Sequence, residues 1–244
     1  MKFVVMTCVY NGQLYIGRCM ASVRNQTYKN YVHIVVDDAS TDKTFVEMEI
    51  HRHGRARLYR NDKNIKWIRN ALMYLNEHVL SEEDVIVILD GDDWLAHNEV
   101  FDWLKQIYTL SETWMTYSLF EYPDGETDSS WIGQYSTDVL KNRTFRDDVW
   151  RFTHLRSFKA FLWNELNKDD LRGPNGEYTP YTYDQALLFP MLEMCPYGAI
   201  KFIDNVLYVY NNENPLCVEK YDKVKQQALG RWFRSKERYE ILER

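Results

Sequence analysis

Three carboxylates crowd four residues at Asp90-Gly91-Asp92-Asp93, directly after the apolar run Val85-Ile86-Val87-Ile88-Leu89. Such crowding is costly without a cation, because like charges held close together raise one another's energy. Hard oxygen ligands at this density suit Mg2+ or Mn2+, which would neutralise a bound diphosphate and stabilise it as a leaving group. Gly91 would let the backbone turn sharply between the carboxylates. The competing reading is an acidic turn that caps a helix opening near Asn98, where Asp is favoured.

A second acidic segment, Val35-Val36-Asp37-Asp38-Ala39-Ser40-Thr41-Asp42, also follows an apolar run. Paired carboxylates with small hydroxyl residues can accept a base N–H and ribose hydroxyls while capping the next helix, and capping alone is the alternative. The third segment is Cys8-Val9-Tyr10-Asn11-Gly12. Ligands of open α/β sheets bind outside the carboxyl ends of the strands, so these three ends suit one crevice.

The elements that must position them follow from periodicity. Short β-rich runs at Lys2–Val9, Tyr31–Val36, Arg57–Tyr59, Val85–Leu89 and Trp114–Ser118 alternate with helical patterns at Leu14–Asn25, Lys43–His51, Lys66–Val79 and Glu99–Tyr108. That alternation predicts a mostly parallel, Rossmann-like α/β sheet flanked by helices. The unbroken apolar run before Asp90 predicts a central strand buried on both faces. Beyond Ser118 the pattern loosens, with turn signals at Pro123-Asp124-Gly125 and Gly173-Pro174-Asn175-Gly176. We expect one domain over 1–244, with a nucleotide-binding half at 1–118, a smaller acceptor-side region at 119–215 and a helical segment at 216–244. Ile200–Val209 reads as a late strand or hairpin. Tyr221–Leu242 reads as a packed terminal helix, with an oligomerisation or membrane-surface helix as alternatives.

The chain has 244 residues, a formal net charge of −6 and 15% aromatic residues. That length fits one α/β domain with a full core. The negative balance offers no broad basic field for a nucleic-acid backbone, so any phosphate substrate needs a local cation. Cys8, Cys19, Cys195 and Cys217 show no CxxC spacing and no dense framework, which fits a reducing, cytoplasmic setting. The apolar start Phe3–Val9 is far shorter than the roughly 20 residues of a membrane span. We therefore expect a soluble protein without an integral membrane segment, leaving peripheral attachment through a partner and a homo-oligomer open.

Taken jointly, these motifs resemble family-2 glycosyltransferases of GT-A fold. In that family the first strand ends in a Pro-x-Tyr-Asn-like motif, the second in Val-Asp-Asp-x-Ser-x-Asp and the fourth in Asp-x-Asp-Asp. Here Val9-Tyr10-Asn11, Val36 to Asp42 and Asp90 to Asp93 stand in matching order and spacing. The resemblance implies donor binding by Val9, Tyr10, Asn11, Asp38, Asp90 and Gly91, with Asp38 on the base. It implies that Asp90 and Asp92 hold ribose and Mn2+ or Mg2+, with Asp93 behind them. Asn61 to Asn70 resembles the family's Asn-x-Gly segment followed by Arg-Asn, which makes Arg69 a donor-binding candidate. Lys66 stands where that segment has Gly, and a solvated basic helix face is the alternative for Lys66 and Arg69.

An inverting transfer needs a carboxylate near the acceptor to take a hydroxyl proton. The family places it in a Glu-Asp pair opening a helix, and Tyr183-Asp184-Gln185 resembles that pair with Tyr183 replacing Glu, so Asp184 is the implied base. Its alternative is a carboxylate favoured by the helix macrodipole. Where many relatives have a His after the last strand, Glu213 or an Asn stands here. Arg156 and Lys159 could supply positive charge, His154 reads as a structural histidine, and Trp131 and Trp163 either stack on an acceptor sugar or pack.

The implied activity is metal-assisted transfer from a nucleoside diphosphate sugar, UDP-linked because the family uses UDP most, to a hydroxyl of a glycan or other acceptor. Two readings compete with it. A nucleotidyltransferase would carry a basic, Gly-rich triphosphate loop near the first strand, which Tyr10-Asn11-Gly12-Gln13-Leu14 lacks. A sugar-nucleotide-binding protein without activity would not need Asp90, Asp92 and Asp184 together.

Overall fold

The computed structural model describes residues 1–78, 81–127, 132–215 and 222–244. In chain order the elements begin β1 (Phe3–Val9), α1 (Ile16–Arg24), β2 (Tyr31–Asp37), α2 (Thr44–Ile50), β3 (Ala56–Arg60), α3 (Lys66–Tyr74) and β4 (Val85–Ile88). They continue with β5 (Trp94–Leu95), α4 (Val100–Leu110), β6 (Met115–Glu121), α5 (Thr137–Asn142), β7 (Arg156–Lys159) and α6 (Ala160–Glu165). The last are α7 (Tyr183–Met194), β8 (Ile200–Val209) and α8 (Lys223–Arg234).

Eight strands form one sheet in the order β3-β2-β1-β4-β7-β6-β8-β5. The four strands expected first in the chain pair in parallel: β1 with β2 and β4, and β2 with β3. The second half mixes directions, with β7 antiparallel to both β4 and β6, β6 parallel to β8, and β5 antiparallel to β8. Because β1, β2 and β4 run side by side in one direction, their carboxyl ends finish along one edge. Because β7 runs against β4, its amino end comes to that same edge: Arg156 pairs with Ile88, two residues before Asp90.

The continuous apolar run of β4 has the expected cause. Ile86 and Ile88 pack into one core cluster with Val4, Met6, Ile34 and Val36, whereas Val85, Val87 and Leu89 pack into another with Phe3, Val5 and Val35. Successive side chains of a strand point to opposite faces, so a sheet covered by helices on both sides needs apolar residues at every position. Each such fully buried side chain contributes about 1.5–3 kcal/mol of transfer free energy.

Two sequence expectations shorten. The α3 pattern ends at Tyr74, and Val79 lies outside the described residues. The terminal helix stops at Arg234, and the following residues run back over the molecule as irregular chain. The tail finds partners that further helix would forgo: the Tyr239 hydroxyl donates to Asp170 at 2.6 Å, the Tyr239 amide to Glu193 at 3.1 Å, and the Leu242 amide to the Met194 carbonyl at 3.0 Å. Beneath it, Arg146 makes a bidentate pair with Glu193 at 2.6 and 2.8 Å, both residues buried. Arg146 also donates to the Phe233 carbonyl in α8. Removing one partner of such a buried pair costs about 3–5 kcal/mol, so this contact anchors α8.

Candidate active site

The first two strand ends are laced together by hydrogen bonds within the protein. Asn11 takes a left-handed backbone with φ 52°, a conformation Asn tolerates better than most residues. Its side-chain oxygen accepts the Thr41 amide at 2.8 Å and its own amide donates to the Ser40 hydroxyl at 2.8 Å. The Gly12 amide donates to Thr44 at 2.9 Å, and the Ser40 amide to Asp37 at 2.9 Å. Asn11 thus sets the loop shape, while Val9 and Tyr10 line the cavity that opens above it.

Asp38 lines the same cavity and clamps the chain entering α3. One carboxylate oxygen accepts from the Asn61 side chain at 2.8 Å and the Ile65 amide at 2.9 Å, and the other accepts the Lys66 amide at 2.8 Å. These bonds hold Lys66 at φ 69°, a backbone that glycine adopts without steric cost. The Lys66 ammonium reaches between the Tyr10 and Tyr181 rings, 6.0 Å from each centroid. Arg69 is not brought to this cavity. Its exposed guanidinium pairs with Glu177 and lies 5.3 Å from the Tyr178 ring, so the helix turns it to the surface while Lys66 faces the site.

The acidic turn after β4 requires a glycine at its centre. A side chain on Gly91 would place its Cβ 2.6 Å from the Val9 Cβ and 2.9 Å from the Cys8 carbonyl oxygen. Burial pushes Asp90 up to about 6, against the pull of the Arg156 charge and a 2.6 Å hydrogen bond donated by Tyr183. Burial also raises Asp92, which accepts a 2.7 Å bond from the Asn214 amide group. Asp93 is raised well above the usual carboxylate range by burial and by the neighbouring Asp92 and Asp90 charges. Its oxygens accept from the Tyr208 hydroxyl at 2.5 Å and the Asn211 amide at 2.7 Å.

Buried carboxylates held this way have an unmet need for positive charge, and hard oxygen donors fit a divalent ion. Asp90, Asp93 and His154 each offer a ligand atom, all within 4.8 Å of one another. Burial and the adjacent Arg156 charge hold the His154 pKa well below its usual value, so the ring is neutral and able to ligate. The ring stacks on Tyr208 at 4.4 Å, and its Nδ1 is buried without a hydrogen-bond partner among the described residues. The sequence pattern marked His154 as structural, whereas the tertiary structure sets it beside the acid cluster. Asp90 and Asp92 line the cavity together with Asp93.

Arg156 joins this cluster to the first turn of α7. Its guanidinium lies 3.4 Å from the Asp184 carboxylate, 3.4 Å from the Tyr183 hydroxyl and 3.3 Å from His154 Nε2, and its Nε has no hydrogen-bond partner among the described residues. The carboxylates and phenols around it raise its pKa further, so it stays a cation. Tyr183 stacks on Trp67 with centroids 4.5 Å apart and an 11° interplanar angle, which fixes the phenol over Asp90. Lys159, by contrast, pairs with Glu83 away from the cavity. Trp163 is buried and donates to Asn76 at 2.7 Å, the packing alternative, and Trp131 lies outside the described residues.

One cavity of about 780 Å³ is lined by Asp38, Lys66, the three carboxylates of the acidic turn, His154, Arg156 and Asp184, and it extends under α8, where Gln226, Gln227, Gly230, Arg231 and Arg234 line it. No periodic or compositional signal marks that contribution, because it depends on how α8 folds back on α7. Among the described residues, no helix is long and apolar enough to cross a membrane. Cys8, Cys19 and Cys195 are free thiols, and Cys217 lies outside the described residues.

Residues 4–168 match the family model described as Glycosyl transferase family 2. The chain is 27% identical over 177 residues to the glycosyltransferase GlyA of Streptococcus pneumoniae serotype 4, covering 68% of this chain and 24% of that protein. It therefore spans about a quarter of that relative's length. Among solved structures it resembles Staphylococcus aureus TarS 1–349 in complex with UDP-GlcNAc, with TM-score 0.67, 18% identity, and 88% of this chain and 59% of that chain covered. It also resembles the mannosyltransferase PcManGT of Pyrobaculum calidifontis in complex with GDP-Man and Mn2+, with TM-score 0.56, 17% identity, and 86% of this chain and 56% of that chain covered. Likeness at these identities shows the fold, which is GT-A.

Proposed function

Because this chain belongs to glycosyl transferase family 2, we propose that it transfers one sugar from a UDP-linked donor to a hydroxyl of a glycan, with metal assistance and inversion at the anomeric carbon. The observation that carries this reading is the convergence of Asp38, the Asp90 to Asp93 turn, Arg156 and Asp184 on one cavity. UDP-GlcNAc in the TarS complex supports the donor, and Mn2+ in the mannosyltransferase complex supports the ion.

Asp90 and Asp92 are the residues we assign to the ion, with His154 and Asp93 beside them. When bound, the ion supplies charge that stabilises the departing diphosphate. Asp38 accepts the base N–H, and Lys66 and the Tyr10 ring close that end of the cavity. Arg156 offers a buried cation between the acid cluster and Asp184, suited to the negative charge that develops on the departing diphosphate. Asp184 takes the proton of the attacking hydroxyl. Attack from the face opposite the leaving group inverts the anomeric carbon.

The testing experiment is a panel of sugar nucleotides incubated with the protein and Mn2+, reading release of UDP or GDP for wild type and Asp92→Asn. Release from a UDP-sugar, abolished by the substitution, is the expected result. Release of pyrophosphate from nucleoside triphosphates, or equal release by the variant, would overturn the reading.

A further inference from the structure

The cavity does not end at Asp184. It continues between α7 and α8, and this part of its lining has needs the transfer chemistry leaves unmet. Three buried polar atoms of residues that line the cavity have no hydrogen-bond partner among the described residues: Trp150 Nε1, Thr153 Oγ1 and Gln185 Oε1. Together they offer a donor, a hydroxyl and an acceptor, which is the complement a ring bearing several hydroxyls requires. Gln185 follows Asp184 directly, and the space above it is set by Gly230, where a Cβ would come within 3.2 Å of the Gln185 oxygen.

The charge on this side is also unbalanced. Arg231 and Arg234 lie three residues apart on α8 and both line the cavity. Arg234 donates to the carbonyls of Arg146 and Asp148, at 2.5 and 2.8 Å, and makes no ion pair among the described residues. Arg231 is exposed, and its guanidinium has no hydrogen bond, ion pair or ring partner among the described residues. The nearby carboxylates are engaged elsewhere: Asp148 with Arg151, Asp147 with Arg238, and Asp184 with Arg156. In a chain of net charge −6, two guanidiniums on α8 that form no ion pair among the described residues make that end of the cavity a local positive site.

We propose that the acceptor is an anionic saccharide, with Trp150, Thr153 and Gln185 receiving its ring hydroxyls and Arg231 receiving a carboxylate or phosphate on it. This proposal rests on the transferase reading above and adds the chemical class of acceptor to it. A guanidinium is matched to either anion by its planar, forked donors.

The test titrates the full chain, in the presence of UDP and Mn2+, with methyl β-glucoside, methyl β-glucuronide and glucose 6-phosphate, reading binding by calorimetry or saturation-transfer NMR. The two anionic probes are expected to bind roughly fivefold more tightly than the neutral one at low salt, the size of one partly exposed ion pair. That advantage should vanish in Arg231→Gln and shrink for wild type as salt is raised. Tighter binding of the glucuronide identifies a carboxylate as the recognised group, and tighter binding of the sugar phosphate identifies a phosphate. Equal binding of all three probes, no binding of any, or a preference that survives Arg231→Gln overturns the proposal. UDP titration of the same samples separates the two readings: UDP binding without anion preference removes only this proposal, and anion preference without UDP binding removes only the donor assignment.

Discussion

Asp184 and Arg156 form an ion pair across 3.4 Å at the floor of the cavity, so the carboxylate assigned as base is held by a cation before any substrate arrives. The pairing fixes the orientation of Asp184 and places positive charge beside it. It also means that neither residue can be changed without disturbing the other's electrostatics.

Asp184→Asn keeps the shape and one oxygen toward Arg156 but cannot accept a proton. Transfer should fall by about 10²- to 10⁴-fold, the usual contribution of a general base. UDP affinity should persist, because Asp184 is placed on the acceptor side. Steady-state transfer with parallel UDP titration checks both, and a variant with wild-type turnover would remove Asp184 from the mechanism.

Asp92 and Asp93 are adjacent but should fail differently. Asp92→Asn should abolish Mn2+-dependent release of UDP with little change in melting temperature. Asp93→Asn should lower stability by about 1–3 kcal/mol, because it weakens buried bonds from the Tyr208 hydroxyl and the Asn211 amide. Thermal melts alongside donor hydrolysis separate the two, and identical profiles would mean that both residues serve the same role.

Tyr183→Phe removes the phenol that donates to Asp90 at 2.6 Å while keeping the ring that stacks on Trp67. A hydrogen bond to an ionised carboxylate favours that form, so its loss should push Asp90 above its already raised value of about 6. Mn2+ binding, followed as a function of pH, should shift its midpoint upward in the variant. An unchanged midpoint would show that the Tyr183 hydroxyl does not tune Asp90.

The metal-free protein should become less stable as pH rises through about 6. The sign follows from Asp90: its folded value of about 6 exceeds the ordinary 3.8, so the native state holds a proton that the unfolded chain releases earlier. That contribution is fully present below about pH 4 and lost above about pH 6. Melting curves with and without Mn2+ should therefore diverge toward neutral pH, since the ion replaces the missing proton. Parallel curves across that range would argue against a cation at the acid cluster.

Gly91→Ala should disrupt the turn on steric grounds alone, since the added Cβ would meet the Val9 Cβ at 2.6 Å and the Cys8 carbonyl at 2.9 Å. Overpacking of this kind costs about 1–3 kcal/mol. UDP affinity should fall with it, because Val9 lines the cavity proposed to take the nucleotide. A melting temperature and UDP affinity equal to wild type would show that the turn can open.

Much of the fold was legible because its cause is local. The apolar runs at Phe3–Val9, Tyr31–Asp37 and Val85–Ile88 are buried strands whose periodicity is visible without neighbours, and their polar ends share an edge because parallel strands finish together. β7 was not legible as a strand. Arg156-Ser157-Phe158-Lys159 is mostly polar, and it is buried only because each polar group meets a distant partner: Ser157 bonds Tyr108 and Thr116, Lys159 pairs with Glu83, and Arg156 meets Asp184. The reach of α8 over the cavity was hidden for the same reason.

The sequence by itself determined the chemistry of the three strand ends and the order in which they occur, because strand burial and turn formation are governed by spacing along the chain. Only the tertiary structure decided which basic side chain enters the site. Lys66 and Arg69 stand one helical turn apart, yet the left-handed residue that opens α3 aims the first at Tyr10 and leaves the second to Glu177. It also decided that His154 and Arg156 lie beside Asp90, since an antiparallel pairing between β4 and β7 joins residues about seventy positions apart. Contacts of that separation depend on how elements pack, and no local pattern in the chain encodes them.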